Sequence, residues 1–217
     1  MTNRPDAVER WGLYEIELNG PSAGNPFIDV ELTATFQRRN REVSVGGFYD
    51  GDGRYRIRFS PDQEGRWTFR THSGAAELDG RTGELNVTPP GPDNHGPVHV
   101  AGGSTFRYAD GTRHESFGTT CYHWTHTGDR AHEAETLASL ADSPFNKVRM
   151  CLLPTGGMRP PRLAFVGDEP GRLDKTRFDP EFFAHVEERV LDLQRLGIEA
   201  DLILFHPYDK GHWGWTT

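Results

Sequence analysis

The hydrophobic pattern changes its period once, and the change falls at "TPPGPDNHGP", residues 88–97. Four prolines and two glycines in ten residues can continue neither a strand ladder nor a helix. The stretch is therefore a linker, and it divides the chain into an N-terminal domain over 1–90, a connection over 91–97 and a second domain over 98–217. Before it, apolar and polar residues alternate: Tyr14, Ile16 and Leu18 with Glu15 and Glu17, then Val30, Leu32, Ala34 and Phe36 with Glu31, Thr33 and Thr35. Tyr55, Ile57 and Phe59 alternate with Arg54, Arg56 and Arg58, and Trp67 and Phe69 with Arg66, Thr68 and Arg70. A period of two marks strands with one buried face. The Asp-Gly pairs of "YDGDG" (49–53) supply the positive φ angles of a tight hairpin. About six or seven short strands, with turns every 8 to 12 residues or so, predict an antiparallel β-sandwich of the immunoglobulin-like kind.

Beyond the linker the order is different. "TFRYADGTRHESFG" predicts a small hairpin turning at Asp110-Gly111, and "FGTTCYHW" a strand. "DRAHEAETLASLADS" places Ala134, Leu137, Leu140 and Ala141 on one helical face. "FNKVRMCLLP" is a near-continuous apolar run of the kind buried on both faces of a parallel sheet. "DPEFFAHVEERVLDLQRLG" predicts a helix with Asp179 as N-cap, Pro180 in the first turn, Gly197 as its stop, and an apolar stripe of Phe183, Val186, Val190 and Leu193. "IEADLILF" is a third strand, and the order β-α-β-α-β predicts parallel strands joined by right-handed crossovers.

With 217 residues the chain can hold one large domain or two ordinary ones. Its formal net charge of -8 argues against a nucleic-acid partner or an anionic membrane surface, both of which need a basic patch. The N-terminus lacks the apolar core of a secretory signal, and no window approaches the roughly 20 apolar residues of a membrane span. A cytoplasmic location is expected. Cys121 and Cys151 each lie inside an apolar strand-like run, so they read as small buried residues and not as a disulfide framework.

In a parallel α/β arrangement the ligand side is the carboxyl end of the strands. The polar and aromatic clusters of the second half fall there: Tyr122, His123, Trp124 and His126 after the first strand, Arg149 on the second, and His206, Tyr208, Asp209 and Trp213 after the third. Flat rings beside hydrogen-bonding groups suit a sugar, whose ring has apolar C–H faces and a polar rim. His123 and His126 have a spacing compatible with metal ligands but no cysteine partner or HExxH frame, so neither a metal nor another cofactor is expected. Trp213 and Trp215 would share one side of an extended segment, which fits tail packing as well as a sugar platform. Arg149, inside a buried strand, requires a carboxylate partner, either structural or a catalytic group that it keeps ionised. Asp209 fits a turn or a substrate contact.

The "GNPF" stretch, the "GFYDGDGRYRIRFSPDQEGRWTFRT" hairpins and the "HGPV" junction resemble the domain of unknown function (DUF5060-type) that precedes apiosidase-like (DUF4038-type) catalytic barrels in bacterial proteins. "FGTTCYHWTH", "SPFNKVRMCLLP" and "DLILFHPYD" resemble the opening of that barrel. The resemblance implies a multidomain β plus α/β chain, with a β-sandwich followed by an incomplete (β/α)8 TIM barrel of about three βα units. It also implies a retaining glycoside hydrolase in which Arg149 supports the nucleophile and His206 contacts a sugar subsite. Retaining hydrolysis needs two carboxyl groups about 5 to 5.5 Å apart, and in the related barrels these come from strands four and seven. Residues 97–217 are about half of the roughly 250 that a complete barrel needs. The catalytic carboxylates are therefore expected beyond Thr217, and the chain alone is expected to be an inactive N-terminal fragment. Its expected partners are an oligosaccharide or polysaccharide-derived glycan and, through an open barrel edge, further copies of itself. The alternative is a non-catalytic carbohydrate-binding or interaction protein in which the sandwich does the work.

Overall fold

The computed structural model describes residues 7–156, 158, 160–169, 171–206 and 211–214. It divides into two compact units, Met1–Glu115 and Ser116–Thr217.

In the first unit, β1 (Ala7–Glu9) and β2 (Tyr14–Asn19) are followed by a short helix, α1 (Pro26–Asp29). Then come β3 (Leu32–Arg38), β4 (Arg41–Tyr49), β5 (Arg54–Phe59), β6 (Gly65–Ser73) and β7 (Thr82–Thr88). These strands form one seven-stranded sheet in the order β1-β7-β6-β3-β4-β5-β2, antiparallel throughout except for β1 on β7. Strand β4 joins its two sides, pairing with β3 through Arg41–Gly46 and with β5 through Gly47–Tyr49. A Cβ on Gly47 would meet Leu32 at 2.7 Å and Ile57 at 2.9 Å, so only glycine fits where the strand changes partner.

Chain connectivity dictates the curvature. The outermost strands, β1 and β2, are separated only by residues 10–13. Seven flat strands would span roughly 29 Å at their usual spacing, whereas the chain from Glu9 to Tyr14 reaches at most about 18 Å. The sheet must therefore curl until its edges approach, and it is nearly barrel-shaped.

Inside the curl lies the predicted alternation. Ile16, Ala34, Phe36, Ile57 and Trp67 are fully buried, and Phe36 stacks on Phe59 with ring centroids 3.9 Å apart. The outer face of β2 and β5 carries the charges: Glu17 lies opposite Arg56 and Glu15 opposite Arg58. Arg56 bonds Glu15, Glu17 at 3.0 Å and Asp50 at 2.6 Å. Such partly solvated pairs contribute little each, about 0.2 to 1 kcal/mol, so they fix register more than they stabilise. Gly51, Asp52 and Gly53 turn the hairpin with φ of 82°, 50° and 75°.

A meander of β8 (Val98–Ala101), β9 (Thr105–Tyr108) and β10 (Arg113–His114) completes this unit. His95 Nδ1 lies 2.7 Å from Asp110, and that hydrogen bond holds the Asp110 carboxyl down at about 2. Gly96 has φ 74°, and a Cβ there would stand 2.5 Å from the Trp11 ring. Gly96→Val is expected to cost about 1 to 3 kcal/mol from the left-handed backbone and the overlap with Trp11. Urea unfolding of the variant measures it, and an unchanged midpoint would contradict the packing described.

The second unit begins with β11 (Gly118–Thr120), a 3-10 turn over Trp124–His126, and α2 (Arg130–Ala141). It continues with β12 (Lys147–Cys151), the hairpin of β13 (Phe165–Val166) and β14 (Asp174–Phe178), α3 (Pro180–Arg195) and β15 (Glu199–Ile203). Strands β11, β12 and β15 form a three-stranded parallel sheet in that order. Asp129 caps α2 by accepting from the Ala131 and His132 amides, Asp179 caps α3 at the Glu181 amide, and Gly197 ends α3 with φ 72°. Because the strand order advances in one direction, crossovers of one hand put both helices on the same face. Leu140 of α2 and Leu193 of α3 pack there with Val148 and Met150 of β12.

The expected pairing of an immunoglobulin-like sandwich with an incomplete (β/α)8 barrel is overturned. The chain is mostly β-sheet and has three α-helices among the described residues. Its large sheet is a single mixed one, and no portion of a (β/α)8 barrel is supported. Among the described residues, parallel pairing is confined to β1 on β7 and to β11, β12 and β15 of the second unit, and an antiparallel hairpin interrupts the strand–helix alternation after β12. Nor is β12 buried on both faces, since Val148 and Met150 are covered while Arg149 is exposed. The inner stripes match the predicted ones in part: Leu140, Val186 and Leu193 are buried, and Leu137, Phe183 and Val190 pack partly buried against the cores. On α2 it is Glu133 and Leu140 that are buried, while Ala134 and Ala141 are exposed. On α3 it is Phe182, Val186, Arg189 and Leu193. No helix among the described residues is long and apolar enough to cross a membrane.

Candidate functional site

The parallel ladder continues past the strand ends. Cys121 N–H donates to Arg149 O at 2.9 Å, Cys151 N–H to Tyr122 O at 3.0 Å, and Leu152 N–H to Ile203 O at 3.0 Å. These bonds carry three loop starts side by side. The segment after β12 is then held by side chains. His126 Nε2 donates to Cys151 O at 3.0 Å, His206 Nε2 to Leu153 O at 3.0 Å, and Trp213 Nε1 to Thr155 O at 3.1 Å. Three ring N–H groups thus hold the carbonyls of Cys151, Leu153 and Thr155, every second residue of this segment.

A carbonyl only accepts, so both histidines carry their hydrogen on Nε2. His126 is buried, and burial holds its pKa down at about 4, reinforced by His123, His185 and His206 and opposed by the bond to Cys151. His123 is also lowered, by burial and then by His206. Burial pushes the Cys121 and Cys151 thiols up. The unfolded His126 takes up its proton near pH 6.5, the folded one only near 4. Between those values the unfolded chain holds more protons, so stability is full above about pH 6.5 and falls as the pH drops towards 4. The loss is on the order of 3 kcal/mol. Urea unfolding at pH 7, 5 and 4 should show it, and His126→Gln should flatten that dependence. An equal slope in the variant would assign it to other groups.

Each predicted site residue can now be placed. Tyr122 is exposed and His123 half-buried, while Trp124, His126, His206 and Trp213 are buried. Among the described residues, neither His123 Nε2 nor the Trp124 indole N–H has a hydrogen-bond partner. Arg149 finds its carboxylate in Asp201, directly opposite on β15, with Nε and Nη2 at 2.9 and 2.8 Å. Tyr208, Asp209 and Trp215 lie outside the described residues. Among the described residues, no group of three or more His, Cys, Asp and Glu side chains is arranged to hold a metal ion.

A second concentration of chemistry was not predicted. Glu133 on α2 is 1% exposed and meets Arg189 of α3 at 2.9 Å and His185 at 3.0 Å. Arg189 also holds Glu188 at 2.9 Å and Asp192 at 2.7 Å. The helical period already contained the signal, because Arg189 lies three residues after Val186 and four before Leu193. Reading only apolar residues into that stripe hid it.

Residues 7–74, from β1 to the end of β6, match the family described as "Domain of unknown function (DUF5060)". No curated protein matches the chain. Among solved structures, a Bacteroides vulgatus protein described as "a putative glycoside hydrolase" superimposes with a TM-score of 0.91 at 46% identity, over 97% of this chain and 43% of that one. This chain therefore spans less than half of that protein's length. The Lin-41 filamin domain (TM-score 0.31, 15% identity, 39% of this chain and 85% of that one) carries no argument at that level. The same holds for a family 39 glycoside hydrolase of Bacteroides cellulosilyticus (TM-score 0.28, 13% identity, 97% of this chain and 35% of that one).

Proposed function

We propose that this chain belongs to a carbohydrate-processing protein of glycoside hydrolase type, and that the strand-end cluster of its second unit contacts the sugar. The observation that carries this is the likeness, over nearly the whole chain, to the Bacteroides vulgatus protein. The local chemistry agrees with it. Tyr122 offers an exposed ring to a neutral polyhydroxylated ligand, and close to it in the chain the buried His123 Nε2 and Trp124 indole N–H have no partner among the described residues. The finer proposal is a retaining, apiosidase-like enzyme in which Arg149 sits beside the nucleophile and His206 beside the sugar. It leaves both catalytic carboxyl groups unassigned.

Titration with neutral hexose and pentose oligosaccharides, followed by the ring resonances of His123 and Trp124, tests this reading. Shifts that Tyr122→Ala weakens at least tenfold are expected, and resonances that no sugar moves would end it. The same proposal includes self-association along β15, the edge strand of its sheet, where Leu202 and, just past the strand, Leu204 and Phe205 are exposed. Sedimentation velocity should show a concentration-dependent mass that Phe205→Ser reduces; a monomer at all concentrations contradicts it.

A concave face of about 640 Å³ on β3, β6 and β7, lined by Thr35, Gln37, Arg70, His72 and Glu84, favours the second reading, a binding module on the first unit. Under that reading Arg70→Ala, and not Tyr122→Ala, abolishes binding.

A further inference from the structure

Between the first turns of α2 and α3 lies a cavity of about 840 Å³, within the size range of small-molecule sites. Tyr122, His123 and His206 do not line it, whereas His126 belongs to both it and the strand-end cluster. Its lining combines two kinds of surface. The apolar part is Phe182, whose ring lies at 15° to that of His126, together with Pro160 and Pro161.

The polar part is charged: Arg130 and Arg162 face Glu133, Glu181 and Glu188, one carboxylate more than the arginines of the lining, and Arg189, outside the lining, also holds Glu133. Arg130 Nη1 is 3.3 Å from both Glu133 and Glu188, and Arg162 bonds Glu181. His185 faces Glu133. Paired guanidinium and carboxylate groups leave little net field to select an anion or a cation. They still present N–H donors and carboxylate acceptors side by side at the mouth, where the Arg130 side chain is 64% and that of Glu188 52% exposed. Thr125 adds an independent sign. Its residue is 4% exposed, it lines the same cavity, and its hydroxyl has no partner among the described residues. Buried hydroxyls are normally satisfied.

Flat apolar walls with paired donors and acceptors and little net charge match a neutral pyranose or furanose ring. We propose that this cavity is a saccharide subsite separate from the strand-end cluster, taking a neutral mono- or disaccharide unit. The assignment rests on the carbohydrate reading above and adds to it a second place of contact.

The test is titration of the full chain with cellobiose and xylobiose, followed by backbone amide shifts, with a uronic-acid disaccharide as the charged comparison. Amides of residues 128–130 and 181–188 should move. Ala184 is exposed at the mouth, so Ala184→Trp fills the cavity without entering the core; it should weaken that set of shifts at least tenfold and leave the shifts near His123 in place. Tyr122→Ala should do the reverse. Arg130→Gln, a milder change, should weaken the cavity set severalfold with unchanged thermal unfolding. Shifts near His123 alone, indifferent to Ala184→Trp, would overturn the subsite and leave the strand-end reading standing. No shift at either place would overturn both. A uronic-acid disaccharide binding tenfold tighter than the neutral ones would overturn the assigned ligand class.

Discussion

Trp67→Ala is expected to lower the unfolding free energy of the first unit by about 3 to 5 kcal/mol. The side chain is fully buried at the centre of the curled sheet, its ring edge-on to Phe59 at 5.1 Å, and its indole N–H donates to Gln63 O at 2.9 Å. Truncation removes its buried surface and leaves a cavity that strands paired on both sides cannot close. Trp67→Phe keeps most of the volume and gives up the hydrogen bond, so a smaller loss, about 1 to 2 kcal/mol, is expected. Urea unfolding followed by far-ultraviolet circular dichroism measures both. A loss under about 1 kcal/mol for the alanine variant would mean that the sheet does not close around this residue.

Glu133→Ala acts on the second unit through charge. It removes the carboxylate from Arg189 Nη1 while Glu188 and Asp192 still hold Nη2, and it leaves a guanidinium that is 7% exposed short of one partner. Breaking a buried pair from one side costs about 3 to 5 kcal/mol, whereas replacing both partners with apolar side chains is often neutral. The double variant Glu133→Leu with Arg189→Met should therefore recover most of the loss. If the single variant were as stable as the parent, the ion pair would be relaxed by water; if the double variant were no better than the single, the network and not the stranded charge would be what matters.

Local features are legible because local physics sets them. The alternation of Tyr55, Ile57 and Phe59 with three arginines fixes which face of β5 turns inward, whatever that face meets. Asp129 and Asp179 cap their helices through amides two or three residues away, and Gly197 stops α3 with a backbone angle that glycine adopts freely. That Tyr122 and His123 follow one strand and His206 another is likewise read from the local pattern.

Tertiary structure decided what depends on partners distant in sequence. Alternation cannot tell a two-layer sandwich from one curled sheet, because both bury the same face; the choice lies in β4, which pairs with β3 on one side of Gly47 and with β5 on the other. The same limit applies to Arg149, whose partner is fixed by register with Asp201, 52 residues away. Glu133 and Arg189, 56 residues apart, are buried together only because α2 faces α3. For this chain the sequence by itself determined strands, caps and turns. Strand pairing and helix facing, which join residues far apart in the chain, decided the sheet's closure, the buried ion pair and the cavity beside it.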